Sequence, residues 1–108
     1  MNNNFSISDF SFNCICDTLK KYEDIERALI FGSRAKGNYK KGSDIDLAIY
    51  GTELKKITAM DLAGKLNEEV PIPYYVDVVA PQHNGNTDFV KHIERFGIEF
   101  YVKSIISL

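Results

Sequence analysis

The sequence is poor in the residues that mark several classes of protein: it has no tryptophan, two cysteines, three prolines and no apolar run long enough to cross a bilayer. Cys14 and Cys16 have no histidine cluster nearby, which argues against a disulfide framework or a zinc site and favours buried thiols. Lys and Arg total 13 against 15 Asp and Glu, a net charge of −2. Without a basic excess, we expect no direct nucleic-acid binding, and we expect no membrane association.

What is present is the composition of one globular domain. The 108 residues are 44% hydrophobic and 26% charged, and a chain of this mass buries about two-thirds of its unfolded surface. We expect a single domain over residues 1–108, with a core motif at about 25–81 and ends, 1–7 and 103–108, that could be flexible. The first residues lack the basic and apolar segments of a signal peptide, so a cytoplasmic location is expected. So short a chain would have to borrow a surface from another molecule for two-substrate chemistry.

Apolar periodicity predicts the secondary structure. Thr58 and Thr87 are the expected helix N-caps, and Gly97 is the expected helix stop. We predict helices at about 9–22, 58–70 and 87–96, strands at 27–31, 44–50, 74–80 and 98–102, and a loop at 32–43. This order indicates an α/β (α+β) domain with a small mixed sheet flanked by helices.

Three carboxylates fall in otherwise apolar predicted strands. Asp44 and Asp46 alternate on one strand, so they leave the same face with Cα atoms about 6.5–7 Å apart. A polar strand face would explain this pair alone, but Asp77 lies in a strand with no polar face. If the two strands are neighbours, the three acids repel one another unless a hard divalent cation binds them. Two Mg²⁺ ions in such a site serve phosphoryl-type transfer.

The segment before these acids has the composition of a phosphate-binding turn. Gly32 would let a phosphate approach the backbone, and the Ser33 hydroxyl can donate a hydrogen bond to it. Arg34, Lys36, Lys40 and Lys41 could offset the phosphate charge or could simply form a solvated loop. The stretch from Gly37 to Gly42-Ser43 is not a P-loop, because it lacks the lysine and precedes a strand.

Gly32-Ser33, a spacer of ten residues, Asp44-Ile45-Asp46 and the later Asp77 together resemble the minimal nucleotidyltransferases of the DNA polymerase beta superfamily. The resemblance is good over about residues 25–81 and implies a polymerase beta-like nucleotidyltransferase fold. It also implies that Asp44 and Asp46 bind both of two Mg²⁺ ions. Asp77 would bind the ion that activates the acceptor hydroxyl and would draw off its proton. Gly32 and Ser33 would contact the β- and γ-phosphates of an NTP, with Arg34 and Lys41 as further nucleotide contacts.

Stand-alone family members of this size resemble the antitoxin half of two-component modules whose partner is a HEPN-type toxin. The resemblance therefore implies transfer of AMP from ATP to a tyrosine hydroxyl of such a partner. Two alternatives stay open: a non-enzymatic antitoxin that acts by binding, and nucleotidyl transfer to a small molecule such as an aminoglycoside.

Overall fold

The computed structural model describes residues 5–37 and 44–103. In chain order, these residues form α1 (Asp9–Leu19), β1 (Arg27–Phe31), α2 (Ser33–Lys36), β2 (Ile45–Tyr50), α3 (Thr58–Glu68), β3 (Val76–Val79), a 3₁₀ turn (Pro81–His83), α4 (Thr87–Phe96) and β4 (Ile98–Val102). The predicted order of strands and long helices is confirmed. The short helix α2, within the predicted loop 32–43, and the 3₁₀ turn at Pro81–His83 are additions to the predicted elements.

The strands form one mixed sheet in the order β3-β2-β1-β4. β1 is antiparallel to both β2 and β4, whereas β2 and β3 are parallel. A parallel pair needs a crossover connection, and α3 supplies it between β2 and β3. The expected mixed sheet with flanking helices is therefore confirmed.

The main core lies between one face of the sheet and helices α1 and α3. Ile45, Leu47 and Ile49 alternate along β2, and all three are fully buried. They belong to one cluster with Ile15 of α1 and Leu62 of α3, among others. The apolar face of β2 thus packs against the apolar faces of α1 and α3, as the strand alternation and the helical periodicity of the sequence predict.

The opposite face of the sheet is covered by α4. Leu29, Phe31 and Ala48 form a second, smaller cluster with Ile93 of α4. Ala48, which alternates with the buried aliphatic residues of β2, is also fully buried, so β2 is covered on both faces at this position. Phe96, the last residue of α4, is 42% exposed.

Two predicted helix caps are wrong. α3 has Ile57 as its N-cap with no side-chain hydrogen bond, because the Thr58 hydroxyl instead donates to the Asp24 carboxylate. α4 is capped one residue earlier than expected, by Asn86, whose side chain accepts from the Phe89 N–H at 3.1 Å. A threonine hydroxyl near the start of a helix can bond to a residue distant in sequence instead of capping the helix, and the sequence does not distinguish these two cases.

The two ends of the described chain are packed against the rest. Phe5 and Ile7 are buried in the main core, and the Lys103 N–H donates to the Glu26 carbonyl at 2.7 Å. In β4, Phe100 and Tyr101 are both buried because the pairing with β1 shifts register there, which breaks the expected alternation. Within the described residues, no helix has both the length and the apolar character needed to cross a membrane.

We predict that Gly51→Ala unfolds the domain at lower temperature because the chain is too close there for a side chain. An added Cβ would lie 1.9 Å from the Asp24 carbonyl oxygen, which is backbone and cannot rotate away. We expect a loss of about 3 kcal/mol or more, seen as a lower Tm by circular dichroism. Gly85→Ala is the control, since nothing lies within 4 Å of its added Cβ. Equal stability of the two variants would contradict the close packing at Gly51.

Candidate active site

The predicted acidic residues Asp46 and Asp77 lie side by side on adjacent strands. In the parallel pairing of β2 with β3, Asp46 stands opposite Asp77. In the antiparallel pairing of β1 with β2, Asp46 stands opposite Phe31, the residue before Gly32. Because paired residues of neighbouring strands project from the same face, the two carboxylates share one side of the sheet. The strand pairing therefore brings both acids next to the predicted phosphate turn.

Gly32 occupies a position that other residues tolerate poorly. Its φ of 74° and ψ of −150° lie in a region that side chains with a Cβ rarely adopt. A Cβ added at Gly32 would lie 2.5 Å from Asp46 Oδ2. The turn and the carboxylate are thus in close approach, and Gly32 is required both by its backbone conformation and by the space that Asp46 takes.

Asp44 and Asp77 are more exposed than the sequence argument supposes. β3 is an edge strand, and Asp77 on it is exposed, so the expectation of an acid within a buried strand is wrong. Asp44 directly precedes β2 and is also exposed, and the Ile45 N–H beside it donates to the Tyr75 carbonyl at 2.9 Å. Asp46 is the one half-buried member of the three.

The pKa of Asp46 depends on its burial and on the two neighbouring carboxylates. Burial raises the pKa of Asp46, and the negative charges of Asp77 and then Asp44 raise it further. The three side chains offer only carboxylate oxygens, the donors that Mg²⁺ prefers. The chemistry of this donor set therefore fits a divalent cation, which would relieve the repulsion.

The side chains are nevertheless not gathered into a closed metal cage. Among residues 5–37 and 44–103, no three His, Cys, Asp or Glu side chains are placed to hold a metal ion together. What the described structure provides is shared register and electrostatic coupling of Asp46 with its two neighbours. Metal binding by Asp44, Asp46 and Asp77 accordingly stays a prediction.

The predicted phosphate-binding residues have different placements. Ser33 is half-buried at the start of α2, directly after Gly32. The Arg34 side chain is only 3% exposed, donates to the Phe5 carbonyl at 2.8 Å and lies over the Tyr74 ring. Arg34 therefore joins the turn to the segment before α1 and the segment before β3. Lys41 lies outside the described residues.

Asn67 is a site-supporting residue that the sequence analysis missed. Its side chain accepts from the Val76 N–H and donates to the Val76 carbonyl, both at 2.8 Å. The Asn67 side-chain amide, on α3, thus forms both hydrogen bonds with the backbone of Val76, at the outer edge of β3 and next to Asp77. The only sequence signal is an asparagine inside a predicted helix, where its propensity is poor.

Carboxylates on two neighbouring strands beside a glycine-serine turn have the donor chemistry to hold divalent ions next to a phosphate. A family-model comparison gives the class of protein, because the model described as "Polymerase beta, Nucleotidyltransferase" matches residues 13–105. The chain belongs to this polymerase beta nucleotidyltransferase family. The expected activity class and fold are thereby confirmed.

The names of individual similar proteins describe a narrower activity than the family description does. The chain is 25% identical over 80 residues to the protein named "Putative protein adenylyltransferase MJ0141" of Methanocaldococcus jannaschii, covering 71% of this chain and 80% of that protein. A crystal structure of a toxin-antitoxin with AMP-PNP matches with a TM-score of 0.69 and 25% identity, over 84% of this chain and 73% of that chain. A tri-AMPylated Shewanella oneidensis HEPN toxin in complex with an MNT antitoxin matches with a TM-score of 0.64 and 22% identity, over 86% and 71%.

We predict that Asp46→Asn stabilises the metal-free protein at pH 7. Because the folded-state pKa of Asp46 is raised, the folded state holds its proton more tightly than the unfolded state, and stability falls as pH rises through this range. The charge therefore costs stability at pH 7, and its removal should raise the free energy of unfolding. Below the unfolded-state pKa the two proteins should converge. An unchanged or lower unfolding free energy of Asp46→Asn at pH 7, in chelator, would contradict this.

We also predict that Gly32→Ala impairs nucleotidyl transfer far more than Gly37→Ala. Both glycines have positive φ, 74° and 79°, but only Gly32 has Asp46 within 4 Å of its added Cβ. Gly37 lies in the left-handed region, where a Cβ costs about 1–2 kcal/mol, whereas the ψ of −150° at Gly32 belongs to a region essentially confined to glycine, so Gly32→Ala adds a larger backbone strain to the displacement of Asp46. We expect a rate loss on the order of 100-fold for Gly32→Ala. Equal rates in the two variants, measured as pyrophosphate release, would show that the approach to Asp46 is unimportant.

Proposed function

We propose that this chain transfers AMP from Mg-ATP to a tyrosine hydroxyl of a HEPN-type toxin partner and so acts as its antitoxin, in the cytoplasm. The observation that carries the proposal is the register of Asp46 with Asp77 beside the Gly32 turn. Family membership gives the class of reaction. The relative named for protein adenylyltransferase activity and the AMPylated HEPN toxin complex support a protein hydroxyl as the acceptor.

The reaction is an in-line substitution at the α-phosphorus of ATP. The tyrosine oxygen forms a bond to this phosphorus, the bond to the bridging oxygen of the β-phosphate breaks, and pyrophosphate leaves. Asp44 and Asp46 would both bind the two ions, and Asp77 would bind the ion on the acceptor side. When bound, Mg²⁺ supplies the positive charge that stabilises the α-phosphate and the leaving group.

The proton balance assigns a second role to Asp77. The acceptor hydroxyl must lose a proton as its oxygen attacks, and we assign the carboxylate of Asp77, on the acceptor side in this proposal, as the base that takes it. Asp77 is exposed on an edge strand, so a partner protein can reach it without passing the core. The half-buried Asp46 is less accessible to such a partner, which suits a residue that only holds ions.

Nucleotide positioning falls to the turn between β1 and α2. Gly32 lacks a side chain where the β- and γ-phosphates would approach, and Ser33 can donate its hydroxyl to them. Arg34 is not needed for this proposal, because its guanidinium already contacts Phe5 and Tyr74. Lys41 remains a proposed phosphate contact from the sequence alone.

The test is a transfer assay with matched aspartate variants. The purified chain is mixed with Mg-ATP and a HEPN-type toxin, and the toxin is analysed by mass spectrometry. We expect a tyrosine adduct of AMP mass with wild type and with Asp88→Asn, which removes an exposed carboxylate of α4 outside the site. Asp46→Asn and Asp77→Asn should reduce adduct formation at least on the order of 1,000-fold, since ion-holding or proton-accepting groups are lost.

Three outcomes would overturn the proposal. Neutralisation of the partner without any adduct, equally by wild type and Asp46→Asn, would indicate an antitoxin that acts by binding. Pyrophosphate release with an aminoglycoside and no protein partner would indicate a small-molecule acceptor. Adduct formation that survives Asp77→Asn unchanged would remove Asp77 from the reaction.

A further inference from the structure

A basic and aromatic surface borders the candidate site and takes no part in the proposed chemistry. We call it the Phe96 patch, and it consists of Lys36, Arg95, Phe96 and Ile98. Phe96 is 42% exposed and Ile98 is 44% exposed, and both cationic side chains are exposed as well. An apolar surface with cations at its edge has the composition of a protein interface, in which aromatic residues and arginine are enriched.

The patch lies directly beside the phosphate turn. The Lys36 N–H donates to the Gly32 carbonyl at 3.2 Å, so Lys36 is one helical turn from the close approach to Asp46. Ile98 stands opposite Ile30 on β1, two residues before Gly32. α4, which carries Arg95 and Phe96, packs over Ala48, and Ala48 projects from the same face of β2 as Asp46. Arg95 and Phe96 thus lie on the side of the sheet that carries the carboxylates, whereas Ile98, paired with the main-core residue Ile30, projects from the other side at the β4 edge.

Both cations of the patch are held over its aromatic ring. The Lys36 Nζ and the Arg95 Cζ each lie 5.3 Å from the centroid of the Phe96 ring, within cation–π distance. Among the residues that the structure describes, the ion pairs are Lys20–Asp17 and Arg27–Glu99, and neither includes a patch cation. Two unpaired positive charges therefore sit together on a chain whose net charge is −2.

A small cavity adjoins the patch. Its volume is about 240 Å³, and its wall combines the apolar Phe5, Ala35 and Ile98 with Arg34, Lys36 and Glu99, of which Glu99 is paired with Arg27. The apolar members of this wall give a partner side chain somewhere to bury, while the neighbouring cations would attract carboxylates. An apolar anchor surrounded by acidic residues is thus the complementary chemistry.

We propose that the Phe96 patch is the docking surface for the protein acceptor, which meets it with an acidic segment that also carries an apolar side chain. This inference rests on the proposed function, in which a protein hydroxyl must be held beside Asp77 for transfer. A nucleotide base is a poorer occupant, because stacking needs an open ring face and both cations already lie over this ring. The partner supplies carboxylates to these cations instead.

The experiment measures binding without catalysis. Calorimetry with the HEPN-type partner, in the absence of ATP, compares wild type with Arg95→Glu and Phe96→Ala. Lys56→Glu is the matched control, because it makes the same charge change at an exposed residue just before α3, on the other side of the molecule's sheet. We expect Arg95→Glu to weaken partner binding at least tenfold and Phe96→Ala at least fivefold, with Lys56→Glu within twofold of wild type. Added salt should weaken wild-type binding more than that of Arg95→Glu.

A parallel titration with Mg-ATP separates the competing explanations. Its Kd should be the same in wild type, Arg95→Glu and Phe96→Ala, since none of these changes touches Gly32 or the carboxylates. A loss of Mg-ATP affinity in Arg95→Glu would make the patch a nucleotide subsite and overturn the inference. Partner binding by both patch variants at wild-type strength would also overturn it. Because binding is measured without ATP, a partner that binds through the patch but gains no AMP would contradict only the proposed function.

Discussion

The close approach of Asp46 to Gly32 is the constraint on which the candidate site depends. One carboxylate oxygen lies only 2.5 Å from where a Cβ would be, so the end of β1 and the start of β2 can approach this closely only with glycine at position 32. Asp46 is then carried to Asp77 by the parallel register of β2 and β3. The backbone position of Gly32 and the strand pairing therefore place the predicted phosphate turn, the half-buried Asp46 and the exposed Asp77 in a single row.

Holding like charges in such a row needs compensation from the core. At 4 Å, two carboxylates repel by about 1 kcal/mol in water and by about 4 kcal/mol at an effective dielectric constant of 20. Full burial of one large aliphatic side chain contributes about 1.5–3 kcal/mol. Ile45 and Leu47, on either side of Asp46, and Val76, beside Asp77, are all fully buried. The residues adjacent to the acids can thus offset their repulsion.

The sequence carries the local part of this arrangement and not the tertiary part. Alternation of Ile45, Leu47 and Ile49 and the spacing from Gly32 to the acids are local, and both are readable without a structure. The bond from Thr58 to Asp24 and the two bonds from Asn67 to Val76 join residues far apart or on different elements. No sequence pattern predicts these hydrogen bonds. The exposure of Asp77 likewise depends on β3 being an edge strand, which is a property of the whole sheet.

The two faces of the sheet differ: one packs against most of the core, and the other carries the carboxylates of the candidate site. The large core lies against α1 and α3, so most apolar burial is on the face away from the carboxylates. On the other face, α4 buries only a small cluster through Ile93 and Phe89 and leaves the rest of its surface open. Substitutions on the exposed side of α4 therefore remove little buried apolar area. Surface residues there can change to suit a different partner while the row from Gly32 to Asp77 stays in place.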